Sequence, residues 1–168
     1  PYVARDIIVR DQPDVLTLDI EMPRMDGITF LKKLMKSYPL PVIIVSSLTP
    51  KGSARAMEAF AAGAVDVVAK PGQAYAMEDM GKELARKIKT AVRAKITIEE
   101  PPLPAAFSAL TFPCAAAKVI AVGASTGGTE AIRRVISRFP ENCPGMVVVQ
   151  HMPAQFTANF ANRLDDLC

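Results

Sequence analysis

The chain has 168 residues, of which 50% are apolar and 22% charged, and its formal net charge is +3. That balance is typical of a soluble globular protein, and no stretch approaches the roughly 18 consecutive apolar residues of a membrane-spanning helix. Three cysteines without metal-binding spacing and a single histidine argue against a zinc site and favour reduced thiols in the cytoplasm. The chain lacks an initiating Met and a signal-peptide pattern, so we expect a fragment cut at both ends from a longer protein.

Residues 1–95 are predicted to form one α/β domain. A helix is expected first, and three short apolar strands then follow, each with a helical pattern behind it. The predicted strands are 15–18, 41–47 and 65–69. Alternation of this kind is the signature of a parallel sheet covered by helices.

A linker and the start of a second α/β domain are predicted to follow. Residues 96–117 are interrupted by prolines and read as a semi-rigid linker. From residue 118 to 168 the alternation returns. It predicts strands at 118–122 and 145–150 and helices at about 128–138 and 154–166.

Six basic residues lie along the last helical run of the first domain: Lys82, Arg86, Lys87, Lys89, Arg93 and Lys95. A solvated helix face is favoured over a nucleic-acid-binding patch, because no aromatic or base-reading motif accompanies the charges. We therefore expect no nucleic-acid partner.

Polar side chains follow all three predicted strands of the first domain. Asp19 ends the first strand, Ser46 ends the second, and Lys70 follows the third. Taken singly, each has an ordinary explanation as a turn cap, a loop hydroxyl or a solvated charge. Taken together at one edge of a parallel sheet, they would supply an attacking carboxylate, a hydrogen-bond donor and a cation for a phosphoryl group.

This set resembles the response-regulator receiver domain, in which a D-x-x-M-P-x-M-D-G stretch, a strand-end hydroxyl and a Lys-Pro pair recur in this order. The resemblance implies a flavodoxin-like doubly wound parallel sheet and a histidine kinase as partner. It implies that Asp19 accepts the phosphoryl group, Ser46 hydrogen-bonds it and Lys70 pairs with it. Mg²⁺ would assist, held by Asp19 and the carbonyl of Glu21.

Two departures from the receiver pattern are visible. The first strand, which carries the family's paired acidic metal ligands, is absent, so the sheet is expected to be incomplete. The position of the family's switching aromatic residue matches Val67, so an aromatic switch is not expected. The family's pattern also implies a cis Lys70–Pro71 bond.

The second domain carries a candidate nucleophile and base. Residues 123–127 fit G-x-S-x-G between a strand and a helix, which is the context of a nucleophile elbow that presents Ser125. The single histidine, His151, follows the next predicted strand, and one crossover helix separates the two. The alternatives are that Ser125 only caps a helix and that His151 only closes a strand-end turn.

The stretches KVIAVGASTGGTEAI and VVVQHMP, placed behind a receiver and a linker, resemble the chemotaxis protein-glutamate methylesterases (the CheB family). The resemblance implies Ser125 as nucleophile, His151 as general base and Thr126 as their neighbour. The resemblance also implies a third member of the triad, an aspartate that lies beyond Cys168. Asp165 and Asp166 are poor substitutes for it, because they end a predicted helix.

The resemblance implies a phosphorylation-regulated carboxylic ester hydrolase of methyl-accepting chemotaxis receptors, with glutamine deamidation as a second activity. No cofactor is expected for hydrolysis, and residues 1–168 alone are expected to be inactive. The alternative is a receiver fused to a non-enzymatic binding or transcriptional output domain.

Overall fold

The computed structural model describes residues 1–71, 77–94, 96, 119–140 and 142–167. The helices and strands run in the alternating order that the sequence predicts. In chain order they are α1 (Tyr2–Asp11), β1 (Leu16–Asp19), α2 (Gly27–Ser37), β2 (Val42–Ser46), α3 (Pro50–Ala61), β3 (Asp66–Ala69), α4 (Met77–Ala91), β4 (Val119–Ala124), α5 (Gly128–Ile136), β5 (Gly145–Gln150) and α6 (Ala154–Leu167).

The first sheet is parallel and has the strand order β1-β2-β3. Val42, Ile43 and Ile44 of the central strand are at most 1% exposed, because the sheet is covered on both faces. Continuous apolar runs are typical of parallel strands buried in this way. The carboxyl ends of the three strands therefore lie level at one edge, where Asp19 pairs in register with Val45.

Local signals explain where the helices begin and end. Asp26 caps α2 by accepting hydrogen bonds from two amides of its first turn, and Thr49 caps α3 through the amide of Gly52. Gln12 ends α1 in the left-handed region, at φ 47°. Gly63, at φ 102°, follows α3, in the conformation that glycine adopts without strain.

The second sheet consists, in the described residues, of the parallel strands β4 and β5. Their inner face packs against the helices, whereas their outer face is open. Val119, Val147 and Val149 on that outer face are 54–70% exposed.

The two halves pack against each other through α3 and α6. Phe156 and Phe160 of α6 belong to the same buried cluster as Met57 and Phe60 of α3. The guanidinium of Arg163 also donates a hydrogen bond to the carbonyl of Met57. A shared apolar core therefore joins the second half to the first.

The prediction of a solvated basic face on α4 is wrong for one of its members. Lys87 is fully buried, and its ammonium donates to Asp66 at 2.7 Å and to the carbonyl of Val67 at 2.6 Å. Glu83, one helical turn away, lies 3.1 Å from the same ammonium. Sequence periodicity did not distinguish this lysine from its exposed neighbours, because Asp66 and Val67, to which it donates, lie on another element. Lys95 lies outside the described residues.

The predicted α/β class with parallel sheets is confirmed, and strand boundaries differ from the predictions by at most two residues. Most of the predicted linker, 96–117, lies outside the described residues, so the domain boundaries stay predictions. Within the described ranges, no helix is both long and apolar enough to cross a bilayer.

Candidate functional site

Two of the three polar groups predicted at the first sheet edge meet directly. The ammonium of Lys70 lies 2.7 Å from one carboxylate oxygen of Asp19 and 4.0 Å from the carboxylate of Glu21. The other oxygen of Asp19 accepts a hydrogen bond of 2.9 Å from the amide of Glu21. The Asp19 carboxylate is thus held beside a cation and is still 37% exposed, so a phosphoryl donor can reach it.

The loop after Asp19 closes tightly against the strand. A Cβ on Gly27 would overlap the carbonyl oxygen of Asp19, so only glycine fits where α2 begins. The preceding Asp26 caps the helix, and the hydroxyl of Thr29 lowers the pKa of its carboxyl, aided by backbone amides and by Arg55. This accounts for the Asp-Gly pair at the end of the motif.

The third predicted group, Ser46, lies next to this edge, but its hydroxyl is hydrogen-bonded to Gly52. The residue is 2% exposed and its hydroxyl donates to the carbonyl of Gly52 at 3.2 Å. Ser46 is connected to the site by its backbone, because its carbonyl accepts a hydrogen bond from the amide of Lys70. The described residues contain no cis peptide bond, so the expectation of a cis Lys70–Pro71 bond is not met.

Oxygen donors suited to Mg²⁺ are present at this edge. The Asp19 carboxylate and the Glu21 carbonyl are hard ligands of the kind Mg²⁺ prefers, and this ion commonly keeps several waters. The described ranges contain no cluster of three or more acidic, histidine or cysteine side chains that could hold a metal. The donor set fits Mg²⁺ but supplies only part of an octahedral shell.

A second polar site forms where β4 and β5 end. Ser125 and His151 each follow one of these adjacent parallel strands, and the serine hydroxyl lies 3.3 Å from Nδ1 of the histidine. The amide of His151 donates to the carbonyl of Ala124, which continues the strand pairing up to the site. The single crossover predicted from the sequence thus brings the two side chains together.

The alternative prediction, that Ser125 only caps a helix, is wrong. The residue that precedes α5 is Gly127, at φ 76°, and α5 has no side-chain cap. The Ser125 side chain instead stands exposed beside the histidine ring. An imidazole within reach of a hydroxyl can act as a general base for it.

The first domain contacts the loop that carries this serine. The hydroxyl of Thr126 donates to Asp66 at 2.6 Å, and the amide of Gly127 donates to the carbonyl of Val65 at 2.9 Å. Asp66 is the same carboxylate that binds the buried Lys87. Sequence reasoning assigned no role to Asp66, since a buried strand residue carries no motif.

The first domain also contacts the histidine. Nη2 of Arg86, on α4, lies 3.0 Å from Nδ1 of His151, the same nitrogen that faces Ser125. A cleft of about 290 Å³ opens beside this ring. It is lined from both halves, by Leu48, Ala69, Glu83, His151, Met152, Pro153 and Gln155.

The fold and the two sites together define a class of protein with two parts. The first part is a receiver-like parallel sheet, and the second is a unit of strands and loops in which a serine lies beside a histidine. A family model described as the response regulator receiver domain matches residues 2–82. A second model, described as CheB methylesterase, matches residues 120–168.

Curated relatives match along the whole chain. A protein-glutamate methylesterase/protein-glutamine glutaminase of Syntrophus aciditrophicus is 56% identical over 172 residues, which cover 100% of this chain and 50% of the relative. The enzyme of the same name from Salmonella choleraesuis is 50% identical over 171 residues, covering 100% and 49%. Among solved structures, the response regulator domain of Thermotoga maritima CheB is similar, with 41% identity, a TM-score of 0.49, and coverage of 56% of this chain and 72% of that one.

The chain belongs to the CheB family. It spans about half the length of the curated relatives it matches. The resemblance inferred from the sequence is confirmed for both halves, whereas the roles of the individual site residues stay predictions.

Proposed function

We propose that this chain carries the receiver and the nucleophile-bearing part of a phosphorylation-regulated protein-glutamate methylesterase. Its substrates would be glutamyl methyl esters on methyl-accepting chemotaxis receptors, and a chemotaxis histidine kinase would control it. The names of the relatives support the substrate class. The strongest support for the proposal is the distance of 3.3 Å between the Ser125 hydroxyl and Nδ1 of His151, at the ends of adjacent parallel strands.

In the proposed reaction, the Ser125 oxygen bonds to the ester carbonyl carbon while Nδ1 of His151 takes the hydroxyl proton. The tetrahedral intermediate collapses, and the methoxy group leaves as methanol with that proton. A water molecule, deprotonated by His151, then cleaves the acyl-enzyme to glutamate and restores the serine. No cofactor takes part in these steps.

An aspartate would complete the triad by orienting the histidine ring. Asp165 and Asp166 are exposed on α6, and in the described chain the hydrogen-bond contacts of the His151 ring are with Ser125 and Arg86. The curated relatives are about twice as long as this chain. The proposal therefore assigns the third member to residues outside 1–168.

Asp19 is the proposed phosphoryl acceptor. Its carboxylate oxygen would attack phosphorus, and the leaving group would depart with its electron pair. Lys70, already 2.7 Å from that carboxylate, would pair with the new phosphoryl oxygens, and Ser46 would exchange its Gly52 contact for one of them. Mg²⁺ held by Asp19 and the Glu21 carbonyl would neutralise charge on the phosphoryl group.

The unphosphorylated receiver would inhibit the esterase by direct contact. Three of its groups engage the catalytic unit: the Val65 carbonyl, the Asp66 carboxylate and the Arg86 guanidinium. A guanidinium can only donate, so Arg86 occupies the Nδ1 lone pair that must accept the proton of Ser125. Phosphorylation would activate the enzyme by shifting the equilibrium away from this packing.

Glutamine deamidation is the second proposed activity, because an amide carbonyl can enter the same acyl-enzyme route with ammonia as leaving group. The shared name of the relatives supports it. A cytoplasmic location is also proposed, on the argument that the three cysteines are reduced thiols. The alternative hypothesis is a receiver fused to a non-enzymatic output domain. It is disfavoured because the Ser125 side chain is exposed and caps no helix.

The test is hydrolysis of receptor carrying labelled methyl esters by a full-length protein that contains this chain. Ser125→Ala is expected to lower turnover by on the order of 10⁴-fold or more, since the nucleophile is lost. Ser137→Ala, at an exposed serine after α5, is the matched control and should leave turnover unchanged. Equal turnover in wild type and Ser125→Ala would refute the proposed mechanism.

A further inference from the structure

The side chain of Gln150 holds the loop that presents Ser125. Gln150 is the last residue of β5 and is half-buried on the inner face of the strand pair. Its Nε2 donates to the carbonyl of Ser125 at 2.9 Å and to the carbonyl of His151 at 3.3 Å. The Ser125 carbonyl also accepts a 2.7 Å hydrogen bond from the amide of Gly128. Both lone pairs of that carbonyl are therefore engaged.

The orientation of the Gln150 amide is fixed. A flipped amide would turn Oε1 towards two carbonyl oxygens, which can only accept hydrogen bonds. In the part of the chain that the structure describes, Oε1 is buried without a hydrogen-bond partner. It lies in a notch beside Gly128, where any Cβ would overlap it. A buried amide oxygen without a hydrogen-bond partner is destabilising. The favourable contribution of the Gln150 amide to this site is therefore the pair of hydrogen bonds that its Nε2 donates.

Fixing the Ser125 carbonyl also fixes the amide that follows it. The N–H and C=O of a trans peptide point in opposite directions, so the Thr126 N–H is directed away from Gln150. The next two amides of the loop are occupied, since Gly127 donates to Val65 and Gly128 donates to Ser125. In nucleophile elbows the amide after the nucleophile serves as an oxyanion donor.

We propose that Gln150 is a positioning residue that orients the Ser125–Thr126 peptide, so that the Thr126 N–H donates to the oxyanion formed during attack by Ser125. This inference rests on the proposed function, because it assumes that Ser125 is the nucleophile. Gln150 touches neither the ester nor the hydroxyl of Ser125. Its contribution is to keep one donor preorganised for charge that develops only in the transition state.

The test uses the full-length protein and two variants of nearly the same shape. Gln150→Met removes the donor without adding charge, and Gln150→Glu keeps the amide's outline without an N–H. Two rates are measured: labelling of Ser125 by a fluorophosphonate, in which a Ser Oγ–P bond forms and fluoride leaves, and hydrolysis of methylated receptor. Asn162→Met, an amide replaced on the exposed face of α6, is the control. The melting temperature and acetyl-phosphate labelling of Asp19 report whether each variant is folded.

We expect both variants to lose about 10- to 100-fold in labelling rate and in kcat, with KM within about threefold of wild type. If Gln150 only stabilised the fold, replacing it would lower the melting temperature without lowering kcat at a nearly unchanged KM. A folded variant that is labelled within about twofold of the wild-type rate overturns the inference. Wild-type protein that is labelled at Ser125 but hydrolyses no receptor ester refutes the proposed substrate, and the labelling rates then decide on Gln150 alone. Wild-type protein that resists labelling overturns both proposals.

Discussion

Arg86 is the single residue through which the first half acts most directly on the candidate base. Its guanidinium and the Ser125 hydroxyl face the same nitrogen of His151, at 3.0 and 3.3 Å. Only one lone pair is available on that nitrogen, so the two contacts compete. The contact is exposed, and interactions of exposed charged groups contribute at most about 1 kcal/mol.

Replacement of Arg86 is therefore expected to raise the activity of the unphosphorylated protein. Arg86→Ala should increase receptor demethylation about two- to fivefold, the factor that corresponds to about 1 kcal/mol or less. The measurement is the initial rate without phosphodonor, with Arg93→Ala, at an exposed arginine in the turn after α4, as control. An unchanged or lower rate in Arg86→Ala would show that the contact does not inhibit.

Residues that lie within a local motif were the ones the sequence could identify. Ser125 and His151 follow apolar strands, and their meeting required only one crossover. The sequence assigned no role to Gln150, Arg86 or Asp66, because each acts through a partner distant in sequence. The roles of Arg86 and Asp66 depend on how the two halves pack, and that of Gln150 depends on its contact with the loop after the neighbouring strand. Neither periodicity nor motif spacing encodes these contacts.

At the level of elements, α4 and β3 are joined by a buried ion cluster. Lys87 donates to Asp66 and to the Val67 carbonyl, and Glu83 lies beside it. Apolar periodicity predicted α4 and β3 correctly. It could not indicate that one basic residue of α4 faces inward, since a lysine on an amphipathic helix is usually solvated.

Loss of that lysine should destabilise the packing of α4 on the sheet. Lys87→Met leaves the buried Asp66 carboxylate without its cation, and we expect the free energy of unfolding to fall by about 3–5 kcal/mol. Denaturant unfolding of the full-length protein measures this. Lys89→Met, on the exposed side of α4, is the control and should change it by less than about 0.5 kcal/mol. A loss as small as that in the control would mean that the ion cluster contributes little stability.

At the scale of the whole molecule, the receiver edge and the serine loop are connected through one strand. Lys70, which pairs with Asp19, follows β3, and the residues that hold the serine loop, Val65 and Asp66, lie where β3 begins. The α3–α6 contact adds an apolar surface to this interface. We therefore predict that a change in the Asp19–Lys70 pair shifts the packing of the two halves. A tenfold rise in activity would require a shift of only about 1.4 kcal/mol in that equilibrium.

Phosphorylation of Asp19 is accordingly expected to raise esterase activity in the full-length protein. Acetyl phosphate with Mg²⁺ should label the wild type and increase its rate of demethylation, whereas Asp19→Ala should show neither effect. Asp14→Ala, at an exposed aspartate before β1, is the control and should respond like the wild type. In an Arg86→Ala background the gain from phosphorylation should be smaller, because both changes act on one packing equilibrium and their effects are not additive. Undiminished labelling of Asp19→Ala would mean that another residue accepts the phosphoryl group. If phosphorylation raised the activity of Arg86→Ala as much as that of the wild type, activation would not act through release of His151 from Arg86.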